Sequence, residues 1–420
     1  MNIKNNTKPY YLKLKSMSLN ELIKKLETQI SKNPTDNMKR VREAIKYFEI
    51  DFSNIKKIHV AGTNGKGSTC KYLTQILTDA GYKVGTFVSP YLRVFNERIL
   101  LNNQNISNDD LEKYLKVVLS YNETLDIKMS FFELLTVMAF LYFKAMEVEV
   151  IIIEVGIGGK LDVTNTLTYD LSLLTNVGSD HLEKLGPTEF DVLDNKLGIL
   201  KPDGHLITTI DSKYIDYSKK YANSVNGKIT FLEEAKKISN DPLSFDYNDE
   251  VYKLKMVGDY QIKNAQLAIT ATNILFPSIS SNQIKTSLFR ANWPGRMELI
   301  NTSPLIYVDA AHNKEAASAL KETIKELFPK RRVVVLMSIL RGKDFKGFIN
   351  ELEEVASEII LTSFPDPRLA NLLEIKEYFP NLVLIQSFEE ALKQLNDKDT
   401  VYIVTGSIHF IGYFLQNFQN

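Results

Sequence analysis

The stretch IKKIHVAGTNGKGSTC (residues 55–70) strongly constrains what this chain can fold into. The apolar run IKKIHV predicts a β-strand, a glycine-containing turn follows it, and STCKYLTQILTDAG predicts a helix with an apolar inner stripe. In this order, strand, turn and helix point backbone N–H groups and the positive end of the helix at one spot. The stretch therefore predicts a phosphate-binding loop at the edge of a parallel sheet.

The loop departs from the ordinary Walker A pattern, which reads G-x-x-x-x-G-K-[ST]. Gly67 stands where the hydroxyl residue is expected, and Val60 stands at the position of the first glycine. Gly65 and Gly67 still let the chain approach a phosphate closely, and Lys66 adds a positive charge. A conventional P-loop nucleotidase is disfavoured, because the hydroxyl that would hold Mg²⁺ is missing. The plain structural alternative is a glycine turn capped by Ser68, with Lys66 in solvent.

Strand-length apolar runs recur along residues 1–294, with helical stretches between them: KVGTFV, VEVIIIEV, LSLLTNV and HLITTI. A parallel sheet that is covered on both faces requires such continuous apolar strands. After residues 292–297 (NWPGRM) the alternation restarts with LIYVD, RVVVLMS, EIILTSF, LVLI and TVYIVTG. We predict an α/β protein, in which a large P-loop-containing mononucleotide-binding α/β domain (1–294) is followed by a smaller Rossmann-like α/β domain (295–420). The cleft between such domains is a common place for an active site.

Composition narrows the class of function. Lys plus Arg and Asp plus Glu both number 51, so the chain has no overall field for holding a polyanion, and we expect neither nucleic acid nor a membrane as a partner. The only cysteine excludes an intrachain disulfide and a thiolate metal cluster, in keeping with a reducing cytoplasm. The polar N-terminus lacks the apolar segment of a signal peptide. The run FFELLTVMAFLYF (131–143) is too short to span a bilayer and predicts a buried helix.

Polar residues follow several of the predicted strands. Glu154 ends an apolar strand, Asp180 and His181 follow another, and Asp309 and His312 follow the first strand of the second domain. The carboxyl ends of strands in an open α/β sheet face the ligand crevice, where a carboxylate is well placed to hold Mg²⁺. The alternatives are a strand-end Glu paired with a lysine and histidines with a structural role.

Four other polar residues have ordinary explanations when each is taken alone. Arg296 in the NWPGRM junction suits bidentate contact with phosphate, but it also fits a hinge with a surface arginine. Asn264 marks the start of an apolar-striped helix, Lys196 lies in a helical stretch, and Asn313 fits a helix N-cap.

Eight motifs in order resemble the folylpolyglutamate synthase/dihydrofolate synthase family of Mur-type ATP-dependent ligases: AGTNGKGST, SPYLRVFNERI, SFFELLTVMAF, EVGIGGKLDVTN, DHLEKLG, WPGRME, DAAHN and TGSIHFIG. The likeness runs from about residue 20 to the C-terminus. It implies a ligase that adds L-glutamate to tetrahydrofolate, to dihydropteroate or to both, through an acyl phosphate and with release of ADP and phosphate. A Mur-type ligase for another amino acid is a rival that the matches SFFE and LDV disfavour. A non-catalytic nucleotide-binding module is disfavoured by the polar residues that the chain retains.

The resemblance also implies roles for individual residues. ATP would be bound by Asn64, Gly65, Lys66, Gly67, Ser68, Asn264, Arg296 and Asp309. Mg²⁺ would be held by Ser89, Glu154 and His181, and the catalytic residues would be Lys66, Lys196 and His312. The folate would lie against Ser130, Phe131, Phe132, Glu133, Leu161, Asp162 and Val163, since aromatic rings suit a flat pterin. Lys196 matches the family's carbamylated lysine, which would hold the second of two Mg²⁺ ions. We expect a cytoplasmic monomer.

The chain departs from the family pattern at five positions. The family usually has Glu at the position of Asn195, beside the modified lysine, and often has His where Tyr91 and Tyr260 stand. It often has Gly in place of Ala310 and an aromatic residue in place of His409. None of these changes removes a predicted phosphate or metal ligand, so an active enzyme is expected. The changes near SPYL leave the folate-like acceptor open.

Overall fold

The computed structural model describes residues 7–418, apart from the side chain of Pro34. The first six residues of the predicted first domain, which begin the polar N-terminal stretch, and the last two of the second domain lie outside the described residues. The strands are β1 (Lys56–Ala61), β2 (Val84–Phe87), β3 (Ile99–Leu101), β4 (Gln104–Asn105), β5 (Val150–Glu154), β6 (Leu171–Leu174), β7 (His205–Thr208), β8 (Lys228–Phe231), β9 (Lys236–Asn240), β10 (Leu243–Tyr247), β11 (Glu250–Leu254), β12 (Glu298–Thr302), β13 (Leu305–Val308), β14 (Val333–Met337), β15 (Glu358–Leu361), β16 (Val383–Leu384) and β17 (Val401–Thr405).

The helices are α1 (Lys8–Leu14), α2 (Leu19–Glu27), α3 (Asn37–Tyr47), α4 (Lys66–Asp79), α5 (Asn108–Glu123), α6 (Phe131–Ala145), α7 (Leu182–Leu185), α8 (Glu189–Leu197), α9 (Ile215–Ser224), α10 (Tyr260–Leu275), α11 (Ser281–Arg290), α12 (Lys314–Leu327), α13 (Phe345–Glu353), α14 (Leu372–Tyr378), α15 (Phe388–Leu392) and α16 (Ile408–Asn417).

The first lobe is built on an eight-stranded sheet of order β4-β3-β2-β5-β1-β6-β7-β8. The strands from β2 to β8 in this order run parallel, and β3 and β4 add an antiparallel edge. Alternate residues of β5 enter two different apolar cores: Ile151 and Ile153 pack with α5 and α6, whereas Val150 and Ile152 pack with α4 and α10. Since successive strand residues point to opposite faces, the sheet is covered on both sides.

The second lobe repeats this arrangement on a six-stranded sheet of order β12-β13-β17-β14-β15-β16. Only β12, at one edge, pairs antiparallel with its neighbour. In β14, Val333 and Val335 enter one apolar core while Val334 and Leu336 enter another. The predicted α/β class is thereby confirmed. The division of the chain at residues 294 and 295 stays a prediction.

The local structure differs from expectation in two places. The antiparallel sheet β9–β11 was not expected, because its strands are short, mix polar and apolar residues and carry no continuous apolar run. Helix α4 begins at Lys66, two residues before the predicted start, so Ser68 is buried in the first turn and Gly65 is the N-cap. The buried helix expected at residues 131–143 is α6. Within residues 7–418, the structure contains no helix with the length and apolar character that crossing a bilayer requires.

Candidate active site

The glycine loop is shaped by contacts with the end of β6 and the segment after it. Asn64 donates its backbone N–H to Asn176 Oδ1 at 2.9 Å, and Thr175 Oγ1 donates to Asn64 O at 2.5 Å. Gly65 has a φ of +83°, a left-handed conformation that favours glycine. A Cβ on Gly65 would stand 2.3 Å from Asn264 Oδ1, so Asn264 of α10 lies directly over the loop.

Lys66 is folded back over the loop, contrary to the alternative of a solvated lysine. Its Nζ donates to Gly62 O at 3.0 Å and to Thr63 O at 3.2 Å. The same Nζ lies 4.0 Å from Glu154 Oε1, at the end of β5. The positive charge is therefore held between the loop carbonyls and a buried carboxylate.

Glu154 is 5% exposed and has a partial set of partners. One of its oxygens accepts from the backbone N–H of Ser89 at 3.2 Å. Burial raises the pKa of Glu154 to about 7, although Lys66 and the Ser89 N–H act to lower it. A buried carboxylate that its neighbours do not fully neutralise is a natural ligand for a hard cation. Glu154 and Ser89 thus fit a Mg²⁺ site.

The second lobe contributes Arg296, Asp309 and His312 to the same place. Asp309 is 6% exposed and accepts hydrogen bonds from the backbone N–H groups of Met297 and Ala311, both at 2.9 Å. Burial raises the pKa of Asp309, while the charge of Arg296 and these N–H groups lower it. His312 Nδ1 donates to Ala310 O at 2.9 Å, which fixes the orientation of its ring.

Polar contacts also join the two lobes beside the glycine loop. Asn64 and Asn313 exchange two side-chain hydrogen bonds of 3.1 Å, and Asn313 caps α12 as expected. Asp180 contacts Lys343 Nζ at 2.7 Å and His312 Nε2 at 3.4 Å. Burial raises the pKa of Asp180, but His312 and Lys343 outweigh it and hold that pKa well below its usual value. Because Nδ1 of His312 already donates, the Asp180 contact is attractive when both ring nitrogens carry protons.

A cavity of about 600 Å³ lies between these groups. It is lined by eleven of the predicted site residues: Asn64, Gly65, Lys66, Gly67, Ser68, Ser89, Glu154, Asn264, Arg296, Asp309 and His312. The fold thus brings together three groups that are distant in the sequence: the glycine loop, the predicted metal ligands Ser89 and Glu154, and the residues of the second lobe. The roles assigned to them stay predictions.

Among the residues predicted to act in catalysis or to bind ATP or metal, His181 and Lys196 do not line this cavity. The His181 ring nitrogens lie 3.8 Å from an Asp180 oxygen and 3.5 Å from a Glu183 oxygen. Lys196 is 3% exposed, and burial lowers its pKa to about 7 with a further lowering by Lys66. Within the described part of the chain, no group of three or more His, Cys, Asp and Glu side chains is placed to hold a metal ion.

The predicted folate contacts lie together but outside the cavity. A Cβ on Gly156 would meet the Phe132 ring at 2.6 Å and Asp162 Oδ2 at 3.1 Å, so both side chains flank the turn after β5. Leu161 is 67% exposed, whereas Val163 is buried.

The carboxylates of this group are already used locally. Glu133 forms a capping box with Ser130, at 2.6 Å to its Oγ, and a 2.7 Å ion pair with Arg40. Asp162 caps the turn that follows it, accepting from the Thr164 N–H at 2.9 Å. The aromatic rings are therefore better placed than the acids to contact a ligand.

Several residues lie at the site although the sequence analysis did not place them there. Trp293 covers the first turn of α4, where a Cβ on Gly67 would lie 2.9 Å from its Nε1. Lys343 and Asn313 complete the contacts between the lobes. The signal for Lys343 is weak, because nothing local distinguishes it from the other lysines of the second lobe.

Comparisons with known proteins agree with this geometry. The family models for the Mur ligase middle domain and the Mur ligase glutamate ligase domain match residues 60–272 and 295–408. A Bacillus subtilis (strain 168) protein named dihydrofolate synthase/folylpolyglutamate synthase is 33% identical over 85% of this chain and 89% of its own. FolC of Escherichia coli, solved with DHPP and ADP, is 26% identical, with a TM-score of 0.85 over 96% of this chain and 98% of that one. A bifunctional folylpolyglutamate synthase/dihydrofolate synthase solved with Mn, AMPPNP and L-glutamate is 25% identical, with a TM-score of 0.84 over 96% and 99%.

Two α/β lobes with a glycine loop at their cleft, matched by both family models, define a Mur-type ATP-dependent ligase. Within that class, the chain belongs to the folylpolyglutamate synthase/dihydrofolate synthase family. The resemblance stated from the sequence is confirmed.

Proposed function

We propose that the chain joins the amine of L-glutamate to a carboxylate of a folate at the expense of ATP, with tetrahydrofolate as one acceptor and dihydropteroate as a second. The observation that carries this proposal is the cavity in which Lys66, Arg296 and His312 face the buried carboxylates of Glu154 and Asp309. The DHPP, L-glutamate and nucleotides bound in the similar solved proteins support the choice of substrates.

The cations of the cavity suit the chemistry of amide formation. A free carboxylate is a poor acceptor for an amine, so transfer of the γ-phosphoryl group to it first creates an acyl phosphate with a good leaving group. The glutamate amine then attacks the acyl carbon, and phosphate leaves. Because every reacting partner is anionic, Lys66, Arg296 and the N–H groups of the loop stabilise the charge that collects there.

Mg²⁺ is the metal that the site fits. Glu154 and Ser89 would hold it, with His181 as the predicted further ligand, and when bound it neutralises phosphate charge. The fit rests on Glu154, whose burial without full neutralisation favours a cation beside it. Lys66, whose Nζ lies 4.0 Å from Glu154, would add a second positive charge beside the phosphates.

Lys196 is suited to become a carbamate. Its Nζ makes no hydrogen bond and no ion pair within residues 7–418, and its pKa of about 7 leaves much of the amine neutral near neutral pH. A neutral amine adds to CO₂ and releases a proton, which gives the anion that a second Mg²⁺ needs. Asn195, which replaces the usual Glu, lies against Gly158, where a Cβ would meet its Oδ1 at 2.3 Å.

Purified protein with Mg-ATP and L-glutamate tests the proposal, with dihydropteroate in one reaction and tetrahydrofolate in another. We expect phosphate release that requires both glutamate and the acceptor. An acceptor labelled with ¹⁸O in its carboxylate should pass one labelled oxygen to phosphate. ATP binding without phosphate release in either reaction would contradict ligase activity, and release with only one acceptor would define the substrate. The monomeric state and the cytoplasmic location stay predictions.

A further inference from the structure

Arg98 is a buried arginine without an acid partner. It ends a short 3₁₀ helix (Phe95–Arg98) and is only 7% exposed. Among the described residues its guanidinium makes no hydrogen bond and no ion pair, and its Nε is fully buried. Arg40, which is equally buried, instead pairs with Glu133 at 2.7 Å. A buried charge that lacks a partner is costly and indicates a group that a ligand completes.

Three aromatic rings surround the Arg98 guanidinium. Its Cζ lies 4.9 Å from the ring centre of Tyr91, 5.3 Å from that of Phe95 and 5.4 Å from that of Phe131. Ring faces attract a cation, but they do not satisfy the N–H groups in the plane of the guanidinium. Phe95 is buried, whereas Tyr91 and Phe131 are each partly exposed. The rings therefore hold the planar fork in place, and Tyr91 and Phe131 form its partly exposed side.

The rings around Arg98 come from two segments with predicted roles in binding the folate and the metal ion. Phe131 belongs to the SFFE segment, and Tyr91 belongs to the SPYL loop that begins at Ser89. Charges of Glu27 and Glu154 act on Arg98, but neither carboxylate lies within the 4.0 Å of an ion pair. Burial lowers the pKa of Arg98 to about 10, so the group remains a cation at neutral pH.

The second lobe does not supply the missing anion. In the second lobe, Asp366 is already paired, because the Arg368 guanidinium donates hydrogen bonds of 3.0 and 2.7 Å to its two carboxylate oxygens. His409, whose pKa is affected by both arginines, is also not an acid. Among the described residues, Arg98 is therefore left without an anion from either lobe.

We propose that Arg98 binds the non-reacting carboxylate of an acceptor that already ends in glutamate. This inference rests on the proposed function. Dihydropteroate has one carboxylate, which must meet the phosphate, whereas a glutamate-terminated folate has two and presents a spare one. A guanidinium fork matches a carboxylate with two parallel hydrogen bonds. Arg98 thus sets a preference for glutamylated acceptors over dihydropteroate.

Binding of tetrahydrofolate and of dihydropteroate to the wild type and to Arg98→Met, measured by calorimetry with a non-hydrolysable ATP analogue, tests the proposal. Methionine has a similar length and suits the aromatic rings, so the Tm of the variant should equal or exceed that of the wild type. We expect the variant to bind tetrahydrofolate ten- to a hundredfold more weakly and dihydropteroate within threefold of the wild type. Arg98→Lys, which keeps the charge without the fork, should lie in between. Arg332→Met, at an exposed arginine paired with Glu358, serves as the control.

Equal loss of both ligands, or no loss of either, overturns the proposal. A wild type that binds both acceptors equally overturns it as well. An unchanged affinity for acceptors combined with a weaker affinity for free L-glutamate would assign Arg98 to the incoming amino acid instead. Failure of the ligase function is distinguishable, because it appears as absent phosphate release in the wild type while the binding preference for tetrahydrofolate persists.

Discussion

Glu154 shows at the scale of one residue how a site for a cation is built. Its carboxylate is buried at the end of β5, and its pKa of about 7 lies above the 4.5 of an exposed glutamate. Between pH 4.5 and 7, therefore, the folded protein holds a proton that the unfolded chain has released. Stability from this group is greatest at low pH and is lost as the pH rises through about 7.

We expect Glu154→Gln to remove this pH dependence. Without Mg²⁺, the wild type should lose stability relative to the variant by an amount on the order of 3 kcal/mol between pH 4.5 and 7.5. Urea unfolding at several pH values measures the difference. Mg-ATP should stabilise the wild type at pH 7.5 by more than it stabilises the variant. A constant difference across this pH range would show that Glu154 is ionised throughout.

For Lys196, the contribution to stability changes with pH in the opposite direction, increasing as the pH rises. Its pKa falls from 10.5 to about 7 on folding, so the cost of burying the cation is complete below pH 7 and disappears as the pH rises towards 10.5. Lys196→Met should therefore be more stable than the wild type at pH 7, by a margin that shrinks at higher pH. It should also be inactive if Lys196 is the carbamylated residue.

Bicarbonate separates carbamylation from a merely buried lysine. At pH 8, where most of the Lys196 amine is neutral, added bicarbonate with Mg²⁺ should raise the Tm and the activity of the wild type. Lys196→Met should not respond. An equal response of both proteins would indicate a general salt effect.

At the scale of one element, the join between β1 and α4 depends on Gly65. An alanine there would be strained by the φ of +83° and would place its Cβ 2.3 Å from Asn264 Oδ1. Gly81, at the end of the same helix, has a φ of +92° with nothing within 4 Å of a Cβ, so it is a matched control.

We expect Gly81→Ala to lose about 1–2 kcal/mol of stability, which is the cost of holding an alanine in a left-handed backbone conformation. Gly65→Ala should lose more, because Asn264 must move, and should bind ATP at least tenfold more weakly. Thermal unfolding and nucleotide titration measure the two effects. Similar losses in both variants would mean that contact with Asn264 does not matter.

The sequence predicted elements where one physical signal dominated. Continuous apolar runs gave the parallel strands, and the strand ends located Glu154 and Asp309 correctly at the cleft. The sheet β9–β11 was missed because its short strands mix apolar and polar residues and contain no continuous apolar run. Arg98 was missed because its significance lies in the partner it lacks, which is a property of the folded surroundings and not of the motif.

At the scale of the whole molecule, Asp180 joins the lobes. It is the acid that Lys343 and His312 of the second lobe approach, and its side chain is only 12% exposed. The Asn64–Asn313 pair reinforces the same edge of the cleft. We therefore expect the closed arrangement of the lobes to depend on the negative charge of Asp180.

Asp180→Asn should weaken closure by roughly 2 kcal/mol or more, since it leaves Lys343 without its charged partner. Small-angle scattering should report a larger radius of gyration without nucleotide, and the KM for ATP should rise. Lys343→Met should act in the same direction. Lys398→Met, at an exposed lysine of the second lobe, should change neither quantity. A scattering profile of Asp180→Asn that matches the wild type would remove Asp180 from this role.

The contact between Trp293 and Gly67 gives the chain a built-in optical probe. Trp293 is the only tryptophan among the 420 residues, and its indole nitrogen faces the first turn of the helix that follows the phosphate loop. If light excites the tryptophan and not the 20 tyrosines, all the emission of the protein comes from Trp293. We expect its fluorescence to change when a nucleotide binds to the neighbouring loop, which a titration can measure without any label.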